Sequence, residues 1–299
     1  MVAPTDSDPG LAEASQTGKG TLAIIAGGGN LPSVVAEAAL AKGRPVFVIG
    51  LRGQADEEVI SRYPHGWMDW GQIGRLFSML EEAACTEIVI IGPVTRPDVK
   101  HLKVDSGALK IIPFLKTLGT GGDDRILSSI VRFFEERGYR VIGASSVAPE
   151  ILADEGLLTK KGPSDHDRAD MEVGFAAVDR LGELDIGQAV VVVNRHVMAV
   201  EAAEGTDAML ARCADLRAKR YRFRQKKLGV LVKAPKPGQE ERIDLPTIGA
   251  RTVEMAAEAG LAGIAIAANS VHLAEREKAI AKANKLGIFL IGEKRAADG

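Results

Sequence analysis

Cysteine, aromatic residues and net charge are all scarce in this chain, and each scarcity excludes a class of protein. Only two cysteines, Cys85 and Cys213, occur in 299 residues, far apart and outside any CxxC pair. That gives no basis for a disulfide framework or a cysteine-held zinc. The five histidines, at 65, 101, 166, 196 and 272, form no HxxxH or HExxH pair. Any metal would rest on carboxylates and water, which favours magnesium, with manganese second. Aromatics are 4% of the chain and the net charge is −2. A nucleic-acid surface needs stacking faces or a basic field, so no nucleic-acid partner is expected. No apolar run is long enough to span a bilayer. Residues 1–20 are polar, broken by Pro and Gly, and lack the apolar core of a signal peptide. They are expected to form a disordered tail on a cytoplasmic protein.

What is present is an alternation of short apolar runs and helical patterns. "TLAIIAGGG", "PVFVIGL", "EIVIIGPV" and "YRVIGAS" read as strands, separated by helical "LPSVVAEAALAKG", "GQIGRLFSMLEEAAC" and "DRILSSIVRFFEERG". Strands apolar throughout and alternating with helices predict a parallel sheet covered on both faces. Residues 21–145 are therefore read as a Rossmann-like α/β domain. Pro, Gly and charges without a period mark 146–165 as a linker. Residues 166–293 carry a second α/β domain. There "AVVVVNRHVMAVEA" suits a hairpin turning at Asn194-Arg195, which predicts a mixed sheet.

Five segments point to chemistry. "IIAGGGNLP" is a strand-to-helix turn of the kind that cradles phosphate, with Gly28, Gly29, Asn30 and Leu31 as candidate contacts. Pro32 stands where the dinucleotide fingerprint wants its last glycine, so no NAD or flavin is expected. A plain glycine-rich connection is the alternative. "GPVTRPD" offers Arg96 as a phosphate clamp, or as the partner of Asp98 at the surface. "GTGGDDRIL" places Asp123 and Asp124 before a helix; capping explains one, and metal binding is open to the other. "VEAAEGTDAML" gathers Glu201, Glu204, Thr206 and Asp207, where a bound cation would relieve repulsion between the acids. Helix capping by Thr206 or Asp207 is the alternative. In "LVKAPKPGQEERIDLPTIG", prolines stiffen the loop around Lys233 and Lys236, and Asp244 lies too early for an obvious cap, with Thr247 opening the next helix. Two cations and a carboxylate at a strand mouth suit phosphoryl chemistry.

"AGGGNLP", "GPVTRPD", "GGDD", "LDIGQ", "VEAAEGTDAML", "VKAPKPGQ", "DLPTIG" and "AGLAGIAI" together resemble the UDP-2,3-diacylglucosamine pyrophosphatases of the LpxI type, from lipid A synthesis in Gram-negative bacteria. The likeness runs over about residues 21–293. It implies two α/β domains with the substrate between them. It also implies hydrolysis of UDP-2,3-diacylglucosamine to UMP and 2,3-diacylglucosamine 1-phosphate, with water attacking the uridine-side phosphorus. Magnesium supports that reaction in the family, and the aspartate of its DLP motif, here Asp244, is the catalytically important carboxylate. On this reading Asp244 and Lys233 are catalytic, while Lys236, Arg96, Thr206, Thr247 and the glycine turn bind substrate. Asp244, Asp207, Glu204, Asp123 and Asp124 are the candidate metal ligands. The lipid-linked nucleotide sugar would bring the protein transiently to the inner membrane face. The cationic run Leu216–Lys227 is either a solvated face or a dock for anionic lipid. A homodimer stays open. A non-catalytic lipid or nucleotide carrier and a nucleotide-dependent oxidoreductase are the competing readings.

Overall fold

The computed structural model describes residues 20–95, 123–219 and 227–295; the tail 1–19, Arg96 and most of the Leu216–Lys227 run lie outside them. The N-terminal half alternates β1 (Thr21–Ala26), α1 (Leu31–Ala41), β2 (Val46–Leu51), α2 (Glu57–Ile60), β3 (His65–Met68), α3 (Ile73–Glu82), β4 (Cys85–Ile91), α4 (Asp123–Glu135) and β5 (Arg140–Val141). The five strands form a sheet in the order β3-β2-β1-β4-β5, parallel throughout. Successive side chains of β1 part to opposite faces as pleating requires. Leu22, Ile24 and Ala26 join a core with Val35 and Ala36 of α1, and Ala23 and Ile25 join another with Leu76 and Leu80 of α3. Burial on both faces is why these strands read as unbroken apolar runs. Strand β3 and helix α2 went unpredicted, because "HGWM" is a half-exposed edge strand rather than an apolar run.

The C-terminal half contains β6 (Gly156–Leu157), α5 (Asp165–Glu183), β7 (Ala189–Val193), β8 (His196–Val200), α6 (Gly205–Ala218) and β9 (Val230–Lys233). After these come β10 (Thr247–Ile248), α7 (Ala250–Glu258), β11 (Gly263–Ala267), β12 (His272–Leu273), α8 (Arg276–Leu286) and β13 (Phe289–Glu293). Six strands make a mixed sheet ordered β6-β13-β11-β9-β7-β8. The pairs β9–β11 and β11–β13 are parallel, whereas β7 runs antiparallel to both its neighbours. The β7–β8 hairpin turns at Asn194 and Arg195, both left-handed with φ of 53° and 60°. Neither residue is glycine; the fully buried Asp170 carboxylate of α5 accepts from both turn amides, at 3.2 and 2.5 Å, and holds them there. A separate parallel pair, β10 with β12, lies beside the larger sheet.

The segment expected as a linker is divided between the two cores instead. Val147, Ala148 and Ile151 pack into the N-terminal core and Ala153 into the C-terminal one. Ala153 also exchanges backbone bonds with Val271 and Asn269. The chain thus crosses between domains at Leu152. Composition marked 146–165 as loose, but its scattered apolar residues had tertiary partners.

Candidate active site at the mouth of the C-terminal sheet

Strand β9 is interior to its sheet, between β11 and β7, so its apolar residues are buried and Lys233 at its end is only 5% exposed. The Lys233 ammonium donates to the Thr206 hydroxyl at 2.8 Å and to the Thr247 carbonyl at 3.3 Å. Thr206 in turn donates to the Glu201 carboxylate at 2.5 Å. Burial pushes the Lys233 pKa below the usual lysine range, and the surrounding carboxylates of Glu201, Asp207 and Asp244 push it back up. One buried cation therefore joins three segments distant in sequence: the β8–α6 turn, the end of β9 and the DLPT stretch.

The loop after β9 is ordered by its own side chains. The Lys236 ammonium pairs with Asp185 at 2.5 Å, and its backbone amide donates to the Gln239 side-chain oxygen at 2.8 Å. Gln239 is buried, and its amide nitrogen donates to the Asp244 carboxylate. Arg242 pairs with Glu240 and reaches Glu135 of the N-terminal domain at 2.7 Å. Ile243 packs against the N-terminal core. The loop that carries Asp244 is thus braced from both domains. The two lysines, expected to be held in place for a polyanionic ligand, both have partners within the protein. In the sequence Gln239 is marked only as the end of "VKAPKPGQ"; no periodicity signals a residue that works through both ends of its amide.

The remaining candidates fall differently. Glu204 pairs with Arg212 at 2.9 Å and Asp207 with Arg251 at 2.7 Å. Asp123 and Asp124 open α4, with side chains outside the described residues. Among the described residues no three His, Cys, Asp or Glu side chains gather as a metal cluster. Magnesium does not require one, because it is commonly held by one or two carboxylates with phosphate oxygens and water. Asp244, a carboxylate within electrostatic reach of the buried Lys233 ammonium, fits that donor set.

In the N-terminal domain the strand order reverses between β1 and β4, and the glycine turn lies in that crevice, where open α/β sheets bind ligands. The Gly27 amide donates to Ile91 and the Gly28 amide to Pro93, both at 2.9 Å. Gly28 therefore braces the turn with the amide expected to meet phosphate. Gly29 supplies the left-handed residue, with φ of 76°. Asn30 caps α1 without a side-chain bond, and the Leu31 side chain belongs to the core.

His272, on β12 opposite Thr247, is buried, and its Nε2 has no hydrogen-bond partner among the described residues. Burial holds its imidazole neutral down to about pH 4, against 6.5 for the free side chain. Between those values the unfolded chain binds the extra proton, so stability falls as pH drops through the window. At most about 3 kcal/mol is involved. Urea midpoints at intervals from pH 7 to 4 should fall less for His272→Phe than for the unaltered protein; parallel curves would contradict this.

Comparison with known proteins places the chain. Residues 21–151 match the family model described as the LpxI N-terminal domain, and residues 154–291 match the LpxI C-terminal domain. A curated relative from Caulobacter vibrioides, UDP-2,3-diacylglucosamine pyrophosphatase LpxI, is 42% identical over 271 residues, covering 91% of this chain and 96% of the relative. The chain belongs to the LpxI family. The two LpxI domain matches meet at 151 and 154, on either side of Leu152, where the structure makes its crossing. Both sites just described lie inside the LpxI matches, the glycine turn in the first and the Lys233–Asp244 group in the second.

Proposed function

We propose that this protein hydrolyses UDP-2,3-diacylglucosamine to UMP and 2,3-diacylglucosamine 1-phosphate. The carrying observation is the placement of Asp244: bonded by buried Gln239, within electrostatic reach of the buried Lys233 ammonium, on a loop that both domains brace. Kinship with a relative named for that activity, across nine-tenths of the chain, supports the same substrate. Water attacks the uridine-side phosphorus; the bond from that phosphorus to the bridging oxygen breaks, the oxygen leaves on the sugar-side phosphate, and a proton passes to solvent. Lys233 supplies fixed positive charge near the anionic transition state. Asp244 is the carboxylate that would hold magnesium, whose chemistry when bound is to neutralise and orient the phosphates. Lys236 anchors the loop through Asp185. No described helix is long and apolar enough to cross a membrane, so transient contact through the lipid substrate is the proposed mode of membrane encounter.

The test is turnover of UDP-2,3-diacylglucosamine in ¹⁸O-labelled water, with magnesium and with chelator. Label is expected in UMP, and chelation should stop the reaction. Label in the sugar phosphate would overturn the site of attack. Unchanged substrate in every tube would overturn the hydrolase and leave a carrier.

A further inference from the structure

Glu201 is 7% exposed and Lys233 5%, so two opposite charges are buried near each other with the Thr206 hydroxyl between them. The polarity of this chain is unambiguous. An ammonium only donates and an ionised carboxylate only accepts, so the hydroxyl must give its proton to Glu201 and turn a lone pair to Lys233. A neutral side chain at 201 would remove that bias, because an amide can donate as well as accept.

Glu201 is itself closely placed. Its backbone amide donates to Ala189 at 2.8 Å, extending the β7–β8 ladder. A Cβ on Gly187 would meet its carbonyl oxygen at 2.0 Å, so the chain opposite can only be glycine. Its second carboxylate oxygen accepts a longer bond, 3.4 Å, from the Gln188 amide. The Gln188 side-chain oxygen lies 3.5 Å from the same Gln239 nitrogen that bonds Asp244. One oxygen of Glu201 therefore leads to Lys233 and the other, through weaker contacts, towards Asp244. The groups facing Lys233 are Glu201 from the end of β8, Asp207 from α6 and Asp244 from the loop. Asp207 is paired with Arg251 and Asp244 accepts from Gln239; among the described residues Glu201 is the buried anion that Thr206 joins to Lys233 by hydrogen bonds.

We propose that Glu201 is a positioning residue for the hydrolysis, acting through Thr206 to hold the Lys233 side chain aimed between the Thr206 and Thr247 oxygens. This rests on the reading of Lys233 as the charge that serves the reaction. A buried ammonium freed from that chain loses its orientation, and misplacement of a catalytic group by about an ångström costs on the order of 10²-fold in rate.

The test uses the full-length protein carrying Glu201→Gln, Thr206→Val or Thr206→Ser, with two readouts. The first is the ¹⁵N-lysine spectrum at neutral pH, with the Lys233 ammonium signal assigned by its loss in Lys233→Arg. Hydrogen-bonded ammonium protons exchange slowly and should be visible in the unaltered protein. They should be lost in Glu201→Gln and Thr206→Val, and regained in Thr206→Ser. The second is turnover of UDP-2,3-diacylglucosamine: kcat should fall on the order of 10²-fold in the first two variants with KM little changed, and Thr206→Ser should recover most of the loss. An undisturbed ammonium signal in both Glu201→Gln and Thr206→Val overturns the proposal, as does a fall in kcat that Thr206→Ser does not rescue. Should Glu201→Gln fail to fold, Thr206→Val decides, since it leaves both charges in place. Should the unaltered protein turn over nothing, the proposed function fails, and the spectra alone decide whether Glu201 holds Lys233.

Discussion

Asp244→Asn should lower kcat on the order of 10³-fold, or about 4 kcal/mol in barrier, with little change in folding stability. Asparagine is the informative substitution because its side-chain oxygen still accepts from Gln239, so the buried amide that positions residue 244 keeps its bond. Alanine would leave the buried Gln239 nitrogen only its weak 3.5 Å contact with Gln188, at about 1–3 kcal/mol, and would mix a structural loss with the chemical one. Steady-state turnover and a urea titration of the same preparation separate the two effects. Activity within tenfold of the unaltered protein would remove Asp244 from the chemistry and shift attention to carboxylates outside the described residues.

Gly92→Ala should destabilise the N-terminal domain by about 4 kcal/mol, a large share of the roughly 5–15 kcal/mol that holds an ordinary protein folded. Two penalties combine. Gly92 has φ of 102°, a conformation that costs other residues roughly 1–2 kcal/mol. Its Cβ would also stand 2.6 Å from the Gly28 carbonyl oxygen and 2.9 Å from the Gly27 carbonyl carbon. Overpacking commonly costs about 1–3 kcal/mol. Relief is difficult, because Gly27 and Gly28 are tied back to Ile91 and Pro93 by their amides. The converse change, Gly27→Ala, carries no left-handed penalty, but its Cβ would stand 2.5 Å from the Gly92 oxygen, 2.6 Å from the Pro93 oxygen and 2.7 Å from the Gly92 carbonyl carbon, so contact alone should cost it about 1–3 kcal/mol. A urea midpoint for Gly92→Ala equal to that of the unaltered protein would contradict the expectation.

The order of elements was legible because buried parallel strands and amphipathic helices leave strong patterns, and the mixed C-terminal sheet followed from one hairpin read at Asn194-Arg195. What escaped was decided by tertiary contact. Strand β3 is an edge strand, with Gly66 closed over by the Met79 sulfur, and no alternation of its four residues announces it. The two-residue strands β10 and β12 are too short for any period, yet they brace the segment carrying Thr247. At the site, spacing alone brought Lys233, Thr206 and Asp244 forward. It could not show that Lys236 would find Asp185, 51 residues earlier, or that Asp207 would find Arg251, 44 residues later. Glu201 was noticed as a charge and not as a hub, since its connections need β7 paired with both β8 and β9 before they exist.

The rarity of cysteine acquires a use once the structure is known. Cys85 opens β4 in the N-terminal domain and Cys213 lies in the C-terminal core, both reduced and buried. Burial raises both thiol pKa values, that of Cys85 to about 11, so neither offers much reactive thiolate near neutrality. Each domain thus carries a single silent reporter that a thiol reagent reads only when that domain opens. Mass spectrometry of the two labelled peptides would time the opening of each half separately in the unmodified chain, and so show whether a crossing of one residue makes two domains breathe as one.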